Sequence, residues 1–387
     1  MMKIKFIHCG DIHFDSPFSG LSANKASIRR DELRITFRNI VELCREKHAD
    51  VLLIAGDLFE GTRISEETVT FLFSVLRKIP NTTVFISPGN HDPYMPGSVY
   101  DRVDWPENVV IFKKKSMEKI SVKNLPLKVF GCAFTAPYAD KNLLEGFTIS
   151  EEEQNKNINI MVMHGDLPSS VSASYNPITL NSISHSKLDY LALGHIHTLL
   201  FPEKCGSTYY AFSGTPEGRG FDETDEKGVI YGEITKEDGK SKFDWEFIPC
   251  STRMYQDLMV NVDGCATHED AAQRIEQKIE NPDNIYRMSL VGTLKNAFLL
   301  NLNILQSRLE EKVFDIRFRD MTDTAVDFDE LARETMLKGI FAKRMMAKIE
   351  EARKCGRAKE EKKLCDALAI GLKAFEGEVS VYDNQIN

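Results

Sequence analysis

Five apolar runs of the sequence end in side chains that bind metals: Asp11 and His13, Asp57, Asn90 and His91, His164, and His195 and His197. Of the nine histidines in the chain, His13, His91, His164, His195 and His197 fall at these ends, more than scattered core histidines would place there. Residues i and i+2 of an extended segment point the same way, so Asp11 with His13, and His195 with His197, can reach a common centre. Imidazole, carboxylate and amide donors together suit Mn2+, Fe2+ or Zn2+ better than a hard, oxygen-only cage would. The donors are too many for one ion, and the two oxygens of Asp57 can bridge. Two divalent ions about 3.5–4 Å apart would clamp a phosphate and activate a water for in-line attack. The chemistry expected is hydrolysis of a phosphate ester.

The elements between these residues explain how they meet. Residues 3–9 alternate as a first strand and close at Gly10-Asp11-Ile12-His13, followed by a helix with Phe37, Ile40, Val41 and Cys44 on one face. Val51–Ala55 is a buried-strand run ending at Gly56-Asp57. A second helix, with Ser65 as N-cap, carries Val69, Leu72, Phe73 and Leu76. Thr83–Ile86 then empties into the sharp turn Ser87-Pro88-Gly89-Asn90-His91-Asp92-Pro93. This βαβαβ order predicts a parallel sheet buried on both faces, and in open α/β sheets ligands bind beyond the carboxyl ends of the strands. Two further runs lead into His164-Gly165-Asp166 and Gly194-His195-Ile196-His197. Tyr209–Phe212, Gly228–Ile234 and Lys242–Ile248 read as antiparallel strands completing a sheet, and Ser169–Ser174 as a mobile loop beside the site.

The chain has 387 residues, room for two or three domains, and its 42% hydrophobic and 28% charged composition is that of a soluble globular protein. A net charge of -9 argues against indiscriminate binding to nucleic acid but leaves room for a local basic track or a metal-centred phosphate site. Eight scattered cysteines without a Cys-x-x-Cys pair predict reduced thiols in a cytoplasmic protein. The start lacks the apolar segment of a signal peptide, and no later run approaches a membrane span. After Pro249 the pattern changes. Leu258–Val262, a helix opened by Thr267, and Tyr286–Val291 predict a small β-α-β unit. A helix through Phe298, Leu302, Leu305 and Leu309 and a short strand around Ile316 and Phe318 follow. The charged tail is helical, with Leu337 and Phe341 on one helix and Leu364, Leu368, Leu372 and Phe375 as a packing stripe on another. Basic residues from Lys338 to Lys363 outnumber acidic ones, a pattern that reads first as a solvated helix face and second as a contact for DNA phosphates or an acidic partner. The expected domains are 1–250, 251–322 and 323–387.

The ordered set Asp-x-His, Gly-Asp, Gly-Asn-His-Asp, His and Gly-His-x-His resembles the calcineurin-like metallophosphoesterase superfamily. The resemblance implies an α/β fold, a sheet sandwich flanked by helices, here extended by a small α+β capping domain and a helical C-terminal tail. It implies that Asp11, His13, Asp57 and His197 hold one metal, and Asp57, Asn90, His164 and His195 a second. His91 would then stand just outside the metals, stabilising the transition state or protonating the leaving oxygen, with Asp92 orienting it by a hydrogen bond.

A narrower likeness adds substrate and partners. Asp11–Phe18, Gly56-Asp57-Leu58-Phe59 and Ser213–Phe221 are similar to bacterial SbcD/YhaO-type DNA repair exonuclease subunits. That implies DNA as substrate in double-strand break repair, two divalent ions with Mn2+ first and Fe2+ or Zn2+ as alternatives, and an SMC-like ATPase docked through the C-terminal helices, with a homodimer as a further arrangement. Two positions depart from the pattern: Gly10 stands where Ser is common, and Glu60 where Asp often follows the Gly-Asp-x-Phe motif. Tyr175, Arg219 and Phe221 lie near the motifs and are candidate substrate contacts. The rival readings are a phosphoesterase of nucleotides or other small esters, and a scaffold for the ATPase. Against the scaffold stands His91, which adds nothing to metal coordination in this scheme.

Overall fold

Alternation along each central strand divides its side chains between two different cores. In the computed structural model, which describes residues 1–167, 175–295, 298–324 and 336–375, β1 (Met2–Cys9), β2 (Val51–Ile54) and β3 (Thr83–Ile86) run parallel. Ile7, Cys9, Leu52, Ile54, Val84 and Ile86 pack on one face against α1 (Ala23–Glu46) and α2 (Glu66–Leu76). Ile4, Phe6, Val51, Leu53 and Phe85 pack on the other, against a second sheet. Each such side chain contributes about 1.5–3 kcal/mol by leaving water, which is why the period of two is obeyed strictly here. Two details match the sequence reading: Ser65 caps α2 by accepting the Thr68 N–H, and Phe37, Ile40, Val41 and Cys44 form the buried stripe of α1.

The short α3 (Val99–Arg102) leads to β4 (Val109–Ile111), and β5 (Glu118–Ser121) and β6 (Leu127–Gly131) follow. Next come α4 (Glu151–Lys156), β7 (Ile158–His164), α5 (Leu180–Ser186), β8 (Tyr190–Gly194), β9 (Leu200–Cys205) and β10 (Thr208–Phe212). The hairpin of β11 (Gly228–Glu237) and β12 (Lys240–Pro249) completes the first unit. The sheet orders are β12-β11-β1-β2-β3-β4 and β5-β6-β7-β8-β10-β9. Ile160, Val162, Tyr190 and Ala192 face the first sheet, and Met161, Met163, Leu191 and Leu193 face away from it, on the side of Ile183 in α5. The architecture is therefore the expected α/β sandwich of two sheets flanked by helices.

One strand differs from expectation. Tyr209–Phe212 is not antiparallel in the sheet interior: β10 runs parallel to β8, pairing Tyr209 with Tyr190, and is antiparallel only to β9. The sequence reading omitted β9 because Leu-Phe-Pro-Glu-Lys-Cys lacks an apolar run; an edge strand open to solvent does not need one. Ser169–Ser174 lies outside the described residues.

The chain divides into two units, Met1–Tyr255 and Gln256–Asn387. The first runs past Pro249 because Glu217 accepts the Thr252 N–H at 2.6 Å and Glu32 is paired with Arg253. The second is built on β13 (Tyr255–Asn261), β14 (Ile285–Leu294) and β15 (Asp315–Thr324), in that order, with β14 and β15 parallel from the pair Ile285–Asp315 onward. Ala271, Ala272 and Ile275 of α6 (His268–Glu276) and Leu305 and Leu309 of α7 (Leu302–Leu309) share a core with Tyr286, Met288 and Leu290. Further on, α8 (Leu337–Lys354) and α9 (Ala358–Phe375) meet through Ala342, Leu368 and Leu372, with Phe341 against them. Their surface charges pair locally, Lys354 with Glu350 and Arg353 with Glu361, as on a solvated helix face. Among the described residues no helix is long and apolar enough to cross a membrane.

Candidate metal centre

The backbone turns sharply where β1, β2 and β8 end. Asp11 (φ 52°), His13 (φ 53°), Asp57 (φ 47°) and His195 (φ 105°) all lie at positive φ, uncommon for residues with a Cβ, and such strain clusters at functional sites. Asp11 and His13 therefore converge through left-handed turns and not, as the spacing alone suggested, from an extended segment. The turns are fastened to one another: the Asp11 and His13 N–H groups donate to the Gly56 and Asp57 carbonyls, both at 3.0 Å. Gly89 is needed for close approach, since a Cβ there would meet Asp57 Oδ1 at 2.2 Å.

These turns bring the predicted donors together. Among the described residues, Asp11, His13 and His197 form one group whose donor atoms lie within 4.8 Å of one another, and Asp11, Asp57 and His164 form a second. Asp57 stands between them, its Oδ2 3.9 Å from His13 Nε2 and 3.4 Å from His164 Nε2. Asn90 Oδ1 is 2.9 Å from His164 Nε2 and 3.2 Å from His195 Nδ1. His197 Nε2 lies 3.8 Å from Asp11 Oδ1.

Hydrogen bonds fix the imidazoles from behind. His164 Nδ1 is 2.9 Å from the Ala55 carbonyl, to which it donates in the tautomer that leaves Nε2 toward Asp57 and Asn90. His197 Nδ1 is 2.7 Å from Glu223 Oε1, the carboxylate–histidine pairing that commonly backs a metal ligand. His13 is fully buried, and while its Nδ1 lies 2.9 Å from Glu60 Oε2, its Nε2 has no hydrogen-bond partner. An orphaned buried nitrogen is costly and rare. Facing Asp57 Oδ2 across 3.9 Å, His13 Nε2 has the surroundings of a ligand whose partner is a cation.

The electrostatics agree. Burial alone would push the Asp57 carboxyl up, but the charge of His164 and then of His13 holds it well below the usual carboxylate range. Burial pulls His164 down, and the Asp57 charge outweighs it and carries the imidazole up to about 9. His195 is pushed down to about 4, first by burial and then by His164. Two buried carboxylates thus demand positive charge, and the donor set of carboxylate, imidazole and amide fits divalent ions.

Around the donors, three expectations change. Asp92 does not orient His91: its buried carboxylate turns inward, accepting from Gly89 N at 2.7 Å, Phe59 N at 3.1 Å and Tyr100 OH at 2.6 Å. Burial lifts it to about 6, with the Asp57 charge adding to the effect. The carboxylate that does face His91 is Glu60, whose Oε1 lies 3.6 Å from His91 Nδ1 and whose Oε2 lies 2.9 Å from His13 Nδ1. Glu60 also joins a third group of metal-binding type with His13 and His91. Arg219 reaches the site but is engaged there, donating to Glu60 Oε2 at 2.8 Å and lying 3.2 Å from His197 Nδ1. Tyr175 lies against His195, with ring centroids 5.0 Å apart. Phe221 instead packs edge-on against Tyr255. Glu223 was missed altogether; its only sequence signal is its place just past the Ser213–Phe221 motif.

A family model described as calcineurin-like phosphoesterase matches residues 4–199, a span that contains every predicted donor. The uncharacterized metallophosphoesterase YhaO of Bacillus subtilis (strain 168) is 31% identical over 255 residues, covering 63% of this chain and 60% of that protein. The match therefore spans less than two thirds of that relative's length. Among solved structures, a dimetal phosphatase from Danio rerio aligns at 11% identity over 64% of this chain and 99% of that one, with a TM-score of 0.38. Vacuolar Protein Sorting 29 from Cryptosporidium parvum aligns at 16% identity over 64% of this chain and 100% of that one, with a TM-score of 0.29. At such scores these two likenesses add nothing to the family match. With its ordered motifs, its sandwich fold and its cluster of donors at the strand ends, the chain belongs to the calcineurin-like phosphoesterase family.

Proposed function

We propose that this chain is a metal-dependent DNA nuclease subunit that hydrolyses phosphodiester bonds with two divalent ions, Mn2+ foremost. Asp11, His13, Asp57 and His197 would hold one ion and Asp57, Asn90, His164 and His195 the other. Bound ions of this kind supply a Lewis acid for the phosphoryl oxygens and lower the pKa of a water. The chain itself does the rest. Asp57 Oδ1 accepts the His91 N–H at 2.9 Å and so fixes the backbone that carries the imidazole. His91 is 41% exposed at the side chain, open to a substrate, and donates a proton to the leaving oxygen.

The observation that carries the nuclease reading is the position of Ser213–Phe221, the stretch similar to SbcD/YhaO-type exonucleases. It closes the site: Thr215 Oγ1 donates to the Asp11 carbonyl at 2.8 Å, and Arg219 braces Glu60. The same likeness suggests a cytoplasmic setting and an SMC-like ATPase seated on α8 and α9, where Leu337 and Ile370 are exposed. The test is release of nucleotides from linear double- and single-stranded DNA with Mn2+, beside a small phosphodiester, for wild type and His91→Ala. Cleavage of DNA that disappears in the variant is the expected result. Hydrolysis of the small ester alone would replace this reading with a small-substrate phosphoesterase.

A further inference from the structure

Tyr138 is 67% exposed, in the loop between β6 and α4, and its ring has one covered face and one bare one. The covered face stacks on Tyr175, with centroids 5.9 Å apart and planes within 28°. Tyr175 in turn lies on His195 at 5.0 Å. Three rings thus step outward from a candidate metal ligand to solvent. We infer that Tyr138 and Tyr175 form a stacking platform for an unpaired nucleobase next to the phosphate held at the centre; this rests on the nuclease reading above.

The platform is built before any ligand arrives. Ala139, next to Tyr138, bridges Tyr175, and its carbonyl accepts the Asn176 N–H. Asn176 is itself fully buried, donating from Nδ2 to the His164 carbonyl at 2.7 Å and accepting the Leu143 N–H at 2.7 Å. Both ends of the ladder are therefore tied to the strand that presents His164, so ordering the rings costs little on binding. A second exposed aromatic pair, Phe201 on β9 and Trp245 on β12, lies with its ring centroids 5.7 Å apart and, among the described residues, touches none of the donors.

What lies on Tyr138 must be flat and joined to a phosphate ester, which describes a nucleotide. Ring faces read no hydrogen-bond pattern, so the platform accepts any base, as stacking surfaces for single strands do. In a duplex both faces of a base are covered by its neighbours, so the platform selects a single strand or a frayed end. Base–aromatic stacking corresponds to roughly a five- to hundredfold effect per base.

The experiment compares kcat/KM on a single-stranded oligonucleotide and on the same oligonucleotide with an abasic residue beside the cleaved bond. Wild type, Tyr138→Phe and Tyr138→Ala are measured with Mn2+. Wild type and Tyr138→Phe should prefer the intact base by about tenfold, and in Tyr138→Ala that preference should collapse to near one. A preference that survives in Tyr138→Ala overturns the platform while leaving the nuclease reading standing. Wild type that cleaves neither oligonucleotide overturns both.

Discussion

Glu60 and His91 face each other, with Glu60 Oε1 3.6 Å from His91 Nδ1. That separation is a charge contact and not a direct hydrogen bond, leaving room for tightening when substrate binds. The same carboxylate is braced by Arg219 and touches His13, so the residue that departs from the family pattern links the donor His13 to His91, the proposed proton donor. Glu60→Gln keeps the shape and removes the charge. It should lower kcat by about ten- to a hundredfold at saturating Mn2+ with little change in KM for DNA. A rise in KM at unchanged kcat would show that Glu60 serves substrate binding instead.

Gly89→Ala should act on the metals without touching a donor. Its Cβ would meet Asp57 Oδ1 at 2.2 Å and the Asp57 N at 2.7 Å, so the Asp57 carboxylate has to move. Affinity for Mn2+, read by calorimetry, should fall by at least about tenfold, since displaced support around a ligand typically costs that much. Unchanged affinity would mean that Asp57 is not a ligand.

Metal removal should destabilise the first unit. Asp11 and Asp57 are buried beside imidazoles, and a bound cation would satisfy both carboxylates. At a free ion concentration a hundred times its Kd, binding stabilises the fold by about 2.7 kcal/mol. Chelation should therefore lower the unfolding temperature by about 5–10 °C for a unit of this size, and Mn2+ should restore it. The absence of any shift would count against a resident metal.

A buried charge network should be the most sensitive structural element away from the centre. Arg29 is fully buried, paired with Glu32 and, at 2.9 Å, with Glu217, and it donates to the Gly218 carbonyl at 2.6 Å. Glu217 also accepts from Thr36 at 2.7 Å, joining α1 to the loop that carries Arg219. Arg29→Met preserves much of the volume but leaves Glu217 without its cation. The expected loss is about 3–5 kcal/mol in denaturant unfolding, because a buried partner is left uncompensated. Glu32 keeps Arg253, so Arg253→Met together with Arg29→Met should cost more than either alone.

The donors were legible in the sequence because each stands where an apolar run stops, and parallel strands must deliver their ends to one edge. Asp11, Asp57, Asn90, His164 and His197 needed only that rule. Their partners were not legible. Glu60 meets Arg219 from 159 positions away, and Arg29 meets Glu217 from 188, distances over which no local pattern carries information. Asp92 was misassigned for the opposite reason: it is adjacent to His91 in sequence, but neighbouring side chains diverge, and the inward turn gave its carboxylate to Tyr100 and two backbone N–H groups. The edge strand β9 was invisible because it has no second sheet face to bury. By itself, then, the sequence determined the parallel strands and the kind of chemistry, through periodicity and residue type, while the two-sheet sandwich followed from the family resemblance. Only the tertiary structure decided which carboxylate backs which imidazole and which tyrosine reaches solvent, since those depend on the close approach of turns held at positive φ.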